Sequence, residues 1–163
     1  MALDSARGSG YVRSSVEFGG AAMTMQVREA MSESVLTVGP GHTLREVATL
    51  MAARHIGSAV VHDPERPGPG IITERDIMLS LGAGESPDEE LVESHMASDV
   101  IFAAPDWSLD DAAEAMVSHG FRHLVVVSGG ELAGMLSMRD LVRCYVEIAS
   151  AAALTGVPAS SES

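Results

Sequence analysis

Gly70-Ile71-Ile72-Thr73-Glu74-Arg75-Asp76 decides the fold, because it occurs twice. Gly134-Met135-Leu136-Ser137-Met138-Arg139-Asp140 repeats it as glycine, two apolar residues, a hydroxyl, any residue, arginine and aspartate. Each copy reads as a short apolar strand that turns straight into a helix, with the hydroxyl and the aspartate at the junction. The duplication reaches well upstream. Met31 and Met96, Val35 and Val100, Pro40 and Pro105, Leu44 and Leu109, Met51 and Met116, and Val61 and Val126 each stand 65 residues apart. The two glycines stand 64 apart, so the copies differ by one residue in the loop after His62. A repeat of this period sets the architecture before any single element does.

Each copy predicts the same order of elements. Val35 to Val38 is a strand stopped by Gly39-Pro40-Gly41. Thr43 with Glu46 three residues on forms a capping box, and Leu44, Val47, Ala48 and Met51 make one apolar helical face. Ser58 to His62 and Gly70 to Ile72 are strands, and a helix follows from Glu74 to about Leu81. In the second copy the strand is Val100 to Ala103, Ser108 and Asp111 make the cap, and Leu109, Ala112, Ala113 and Met116 make the face. His123 to Val127 and Leu132 to Leu136 form a hairpin around Gly129-Gly130, and a last helix runs from Met138 past Ala149, with Gly156 as its stop. Short helices are expected over Gln26 to Met31 and from Ser86-Pro87-Asp88.

The fold class is therefore α/β, with two β-α-β-β-α units. Neither unit, at roughly 55–65 residues, carries enough apolar surface to stand alone comfortably. Packing about a pseudo-twofold axis solves this and puts the equivalent junctions on either side of one cleft. The division is a tail over 1–24, a first repeat over 25–84, a second over 85–150 and a helix end with tail over 151–163.

Composition narrows the function. The net charge is −13, and all ten basic residues are arginine, so a long phosphate polyanion is repelled while a small anion can bind where arginines converge. Cys144 is the only cysteine, no secretory signal is visible and no apolar stretch reaches the ~20 residues a membrane span needs. A cytoplasmic protein is expected, with neither nucleic acid nor membrane as partner.

The junction has chemistry to offer. A helix N-terminus presents free N–H groups and partial positive charge to a phosphate. The Thr73 hydroxyl adds a donor, Arg75 adds charge, and Asp76 offers two acceptor oxygens to a ribose diol. The competing reading is an ordinary helix cap, which this chain also uses at Thr43/Glu46 and Ser108/Asp111. What favours a ligand is the recurrence of the whole pattern, arginine and glycine included.

These features resemble a tandem pair of CBS domains (cystathionine β-synthase domains, a Bateman module) over about Val27 to Val146. The resemblance rests on the duplicated plan, on both junction motifs, and on Leu36-Thr37-Val38-Gly39-Pro40 and Ile101-Phe102-Ala103-Ala104-Pro105 leading into the first strand of each copy. It is similar to small stand-alone CBS-pair proteins of bacteria. The resemblance implies a regulatory module, not an enzyme, that binds an adenosine ligand. AMP, ADP, ATP, NAD and S-adenosylmethionine all present the required diol, and no cofactor is required beyond this regulatory ligand. By position, one site comprises Leu36, Thr37, Val38, Thr73, Arg75 and Asp76, and the other Ile101, Phe102, Ala103, Ser137, Arg139 and Asp140. It also implies a homodimer formed through helices and a protein partner that receives the signal. The alternative is a ligand-free interaction module acting through dimerisation.

The copies are not identical. Gly57-Ser58 is answered by Arg122-His123 at the start of the second strand, which makes Arg122 and His123 candidate phosphate contacts, against a solvated Arg and half-buried His as the plainer account. His119 and His123 have i, i+4 spacing, but Gly120 breaks the helix between them, and His42, His55, His62 and His95 show no ligand spacing, so no metal is expected. Cys144 and the methionines read as packing residues, and Glu85 to Glu93 as a solvated acidic run. No nucleophile elbow, phosphate-binding glycine loop or paired acids appear, so catalysis is not expected.

Overall fold

Thr43 starts its helix as its spacing dictates. In the computed structural model, which describes residues 25–154, the Thr43 N–H donates to the Glu46 carboxylate at 2.8 Å and the Glu46 N–H donates to the Thr43 hydroxyl at 3.2 Å. Ser108 likewise accepts from the Asp111 N–H at 3.0 Å. In chain order the elements are α1 (Val27–Ala30), β1 (Thr37–Val38), α2 (Leu44–Arg54), β2 (Ser58–Val61), β3 (Gly70–Thr73), α3 (Glu74–Gly82), α4 (Val92–His95), β4 (Phe102–Ala103), α5 (Leu109–His119), β5 (His123–Ser128), β6 (Glu131–Ser137) and α6 (Met138–Leu154). Both α2 and α5 end in the left-handed conformation, α2 on His55 at φ 54° and α5 on Gly120 at φ 70°.

Two three-stranded sheets result, ordered β1-β2-β3 and β4-β5-β6, each with one parallel and one antiparallel pairing. Gly129 and Gly130, at φ 60° and 87°, make the two-residue turn between β5 and β6 that only residues tolerant of positive φ form readily. Side chains alternate along each central strand. Ala59 and Val61 face the first core with Leu44, Val47, Met51 and Ile72, while Leu124 and Val126 face the second with Leu109, Met116, Leu136 and Leu141. The intervening Val60 and Val125 turn the other way and meet Ile71 and Met135 between the two sheets. The paired methionines Met51 and Met116 are core residues, and Cys144 is buried with burial holding its thiol above the usual range.

The short helices are exchanged between the copies. Val27 and Ala30 of α1 lie in the second core, and Val92 of α4 lies in the first. The backbone records the exchange symmetrically. The Val27 N–H donates to the Trp107 carbonyl and that of Val92 to His42, Arg28 to Pro105 and Glu93 to Pro40, Leu109 to Met25 and Leu44 to Glu90. Past each short helix the chain crosses the other sheet, so that Ser32 pairs with Met135 and Ala97 with Ile71. This crossing explains the motif glycines. A Cβ on Gly134 would lie 2.8 Å from the Ser32 carbonyl oxygen and one on Gly70 3.0 Å from that of Ala97.

Several expected elements are adjusted. β1 and β4 hold two residues each rather than four, although the Leu36 carbonyl still accepts from the Val60 N–H of β2. Ser86 to Glu90 is a turn, with the Glu89 and Glu90 N–H groups both on the Ser86 carbonyl, and the helix begins later, at Val92. The expected tail over 1–24 and the stop at Gly156 lie outside the described residues.

Candidate functional site

The β3-to-α3 and β6-to-α6 junctions have one geometry. The Thr73 hydroxyl donates to Asp76 Oδ2 at 2.6 Å and the Thr73 N–H to the same oxygen at 2.8 Å. Ser137 repeats both bonds to Asp140 Oδ2, at 2.6 and 2.9 Å. The hydroxyl and the acid are thus a helix cap, and they spend one carboxylate oxygen on it. The second oxygen is where the junctions part. Asp76 Oδ1 meets no donor among the described residues, whereas Asp140 Oδ1 pairs with the Arg143 guanidinium at 3.2 Å. Capping and ligand binding are compatible here, because a cap leaves half of each carboxylate for other use.

Both junctions open into one cleft of about 1200 Å³ between the two sheets. Leu36, Thr73, Arg75, Asp76, Ile101, Arg122, His123, Ser137, Arg139 and Asp140, all singled out from the sequence, line it. Thr37, Val38, Phe102 and Ala103 do not. Val38 and Ala103 point into the two cores, and Thr37 and Phe102 face outward on the opposite side of their strands, Phe102 against the loop at Gly68. Two-residue strands whose first residue points out and second points into a core leave neither side chain for the cleft.

The cleft differs in charge from the rest of the molecule. Arg75, Arg122, Arg139 and Arg143 line it against Glu74, Asp76, Asp99 and Asp140, a local balance within a chain of net charge −13. The cations are unevenly placed. Arg122 precedes His123, which is paired across the sheet with Ser137, so Arg122, Arg139 and Arg143 gather at the second junction and Arg75 stands at the first. At the position of Arg122 the first copy has Gly57, and a Cβ there would lie 3.0 Å from the Glu74 carboxylate. Glu74 therefore lies over the space where the second copy carries its arginine.

His123 responds to this setting. Burial, followed by the positive charge of Arg122, lowers its pKa below the ordinary 6.5, with Glu74 and Asp140 opposing. The setting favours the neutral imidazole. Its counterpart Ser58 is buried and donates to Met135 Sδ at 3.0 Å across the sheet interface.

Residues missed from the sequence include Arg143, Glu74, His55 and Met135, all on the cleft wall. Arg143 had a usable signal, since it stands three residues after Asp140 on one helical face. Its counterpart is Leu79, which gives no such signal.

The CBS domain profile matches residues 27–83 and 91–147, most of the described chain. A 17.7 kDa protein of Acidianus ambivalens is 36% identical over 127 residues, spanning 77% of this chain and 76% of that protein. The CBS domain-containing protein YhcV of Bacillus subtilis is 31% identical over 115 residues, 71% of this chain and 81% of that one. Other relatives are longer, and the chain spans 44% of one from Methanocaldococcus jannaschii. Among solved structures, a CBS domain protein from Pyrobaculum aerophilum complexed with AMP superposes with a TM-score of 0.68 at 30% identity, covering 77% of this chain and 99% of that one. The chain belongs to the CBS domain family, as a tandem pair of CBS domains.

Proposed function

We propose that this CBS pair is a regulatory module that binds an adenosine nucleotide in the cleft between its two copies. The observation that carries the reading is the convergence of two hydroxyl-aspartate junctions and four arginines on one cavity of about 1200 Å³. The remaining carboxylate oxygen of Asp76 accepts the ribose diol, the N-terminus of α3 and Arg75 take the phosphate, and Leu36 lies beside the base. The second junction offers Asp140, Ser137, Arg139, Arg122 and His123 with Ile101. Thr37, Val38, Phe102 and Ala103 contribute backbone alone. The AMP-bound relative supports AMP as the first ligand to try, ahead of ADP, ATP, NAD and S-adenosylmethionine.

The signal is a population shift, which requires that the nucleotide bind the two states of the pair unequally. Exposed apolar residues on α3 and α6, among them Met78, Leu81, Val142 and Val146, support a homodimer formed through these helices. The module is cytoplasmic, acts on a protein partner and turns over no substrate. No helix among the described residues is long and apolar enough to cross a membrane.

A thermal-shift series with the five ligands tests the reading. A ligand at 100 times its Kd stabilises by about 2.7 kcal/mol, and the Asp76→Ala/Asp140→Ala variant loses that gain. A folded wild type that no nucleotide stabilises transfers the assignment to the ligand-free interaction module, for which the complete capping geometry at both junctions is the supporting observation.

A further inference from the structure

Away from the cleft, Glu85, Glu90 and His95 bring one ligand atom each to within 4.8 Å of one another. His95 Nε2 lies 2.8 Å from Glu90 Oε2 and 3.7 Å from Glu85 Oε2. The glutamates belong to the segment between α3 and α4, and His95 is the last residue of α4. Behind them the buried Ser80 donates its hydroxyl to Glu85 Oε2 at 2.6 Å. Among the described residues neither glutamate has an arginine partner, and both turn to the one imidazole nitrogen.

The duplication supplies an internal control. Ser80, Glu90 and His95 correspond to Cys144, Met25 and Ala30 of the other corner of the molecule. The backbone confirms the equivalence, since the Leu44 N–H donates to the Glu90 carbonyl at 2.9 Å as that of Leu109 donates to Met25 at 3.0 Å. In the second core Ala30 and Cys144 are buried and Met25 packs against them, an apolar corner with nothing further to do. Packing at this corner thus asks for small and apolar residues. The first copy instead places a hydroxyl, a carboxylate and an imidazole there, and adds Glu85 from the linker.

We propose that Glu85, Glu90 and His95 bind a divalent first-row transition ion, zinc by preference, with water completing its shell. One imidazole and two carboxylates form a borderline donor set suited to zinc rather than calcium. Zinc bonds of 2.0–2.2 Å in a tetrahedron put donor atoms about 3.4 Å apart, and the observed 2.8 and 3.7 Å separations bracket that value. Ser80 is the outer partner that fixes a ligating carboxylate. An ion here ties the linker between the copies to the corner of α3 and α4.

The test is a titration of the full chain, stripped of metal, with Zn²⁺ by calorimetry and with Co²⁺ as a visible-absorption probe. Wild type takes up one ion, and His95→Ala and Glu90→Gln each weaken uptake at least tenfold. Should either single variant unfold, Ser80→Cys/Glu90→Met/His95→Ala installs the other corner's own residues and keeps the packing while abolishing the site. Zinc uptake surviving in the triple variant shows diffuse binding to the acidic surface and overturns the proposal. So does a wild type that takes up no zinc.

Discussion

At the first junction Asp76 keeps one carboxylate oxygen unpaired among the described residues, Gly57 lies under Glu74, and the residue one turn further along the helix is Leu79. At the second, Arg143 occupies that place and holds the second oxygen of Asp140, while Arg122 replaces Gly57. The capping bonds agree between junctions to within about a tenth of an ångström. The two copies share what the helix start needs and differ in what faces the cleft. The first junction is open to a diol and modest in charge. The second is rich in charge, and its aspartate is already partnered.

Stability of the two cores gives the largest test of equivalence. Leu44→Ala and Leu109→Ala, at matching buried positions, each cost about 2–5 kcal/mol by denaturant unfolding. A large disparity would break the symmetry at the level of packing. Next comes the ligand. Asp76→Ala weakens nucleotide binding at the first junction by about 10–100-fold, the worth of hydrogen bonds to a charged acceptor. Asp140→Ala weakens it less, because Arg143 competes for that carboxylate in the free protein, and equal losses measured by calorimetry would erase the distinction. Third, the glycine contacts differ, 2.8 Å at Gly134 against 3.0 Å at Gly70, so Gly134→Ala costs more than Gly70→Ala within about 1–3 kcal/mol of overpacking.

Two smaller effects sharpen the charge difference. Arg143→Leu makes the second junction like the first, and lowers affinity for ATP about two- to fivefold while sparing AMP, as expected of a partly exposed ion pair. His123 sets a pH dependence. Its folded pKa lies below its unfolded value, so the unfolded chain takes up the proton first as pH falls through about 6.5. Stability is level above that pH and declines below it, until the folded imidazole is also protonated. His123→Asn flattens the decline between pH 7 and 5.5 in thermal melts, and an unchanged slope would place the titration elsewhere.

Much of this was legible in the chain. The repeated glycine-to-aspartate motif, the caps at Thr43 and Ser108 and the alternating strands carry local signals strong enough to place every long element. Ten of the fourteen residues expected at the site line the cleft. The four whose side chains stand outside it do so for a physical reason. A run such as Leu36-Thr37-Val38 alternates sides, and sequence alone does not say which side meets the core once the strand shrinks to two residues. The exchange of α1 and α4 was illegible for a similar reason. A helix of four residues and a pairing of one residue leave no period to detect, and only the otherwise unexplained Gly70 and Gly134 marked where another backbone passes.

That exchange also bears on how such a molecule could arise and be taken apart. A single ancestral copy would have lacked a helix for its own core and found it in a twin, so the present chain has the topology of a fused swapped dimer. Cutting the chain within the segment between Gly82 and Leu91 would yield two fragments, each holding the piece that closes the other's interior. Neither would fold alone, and mixing them would restore both at once. The protein is in that sense already a split pair, joined by a linker that is itself bonded to α2 through Pro87, Asp88 and Glu90.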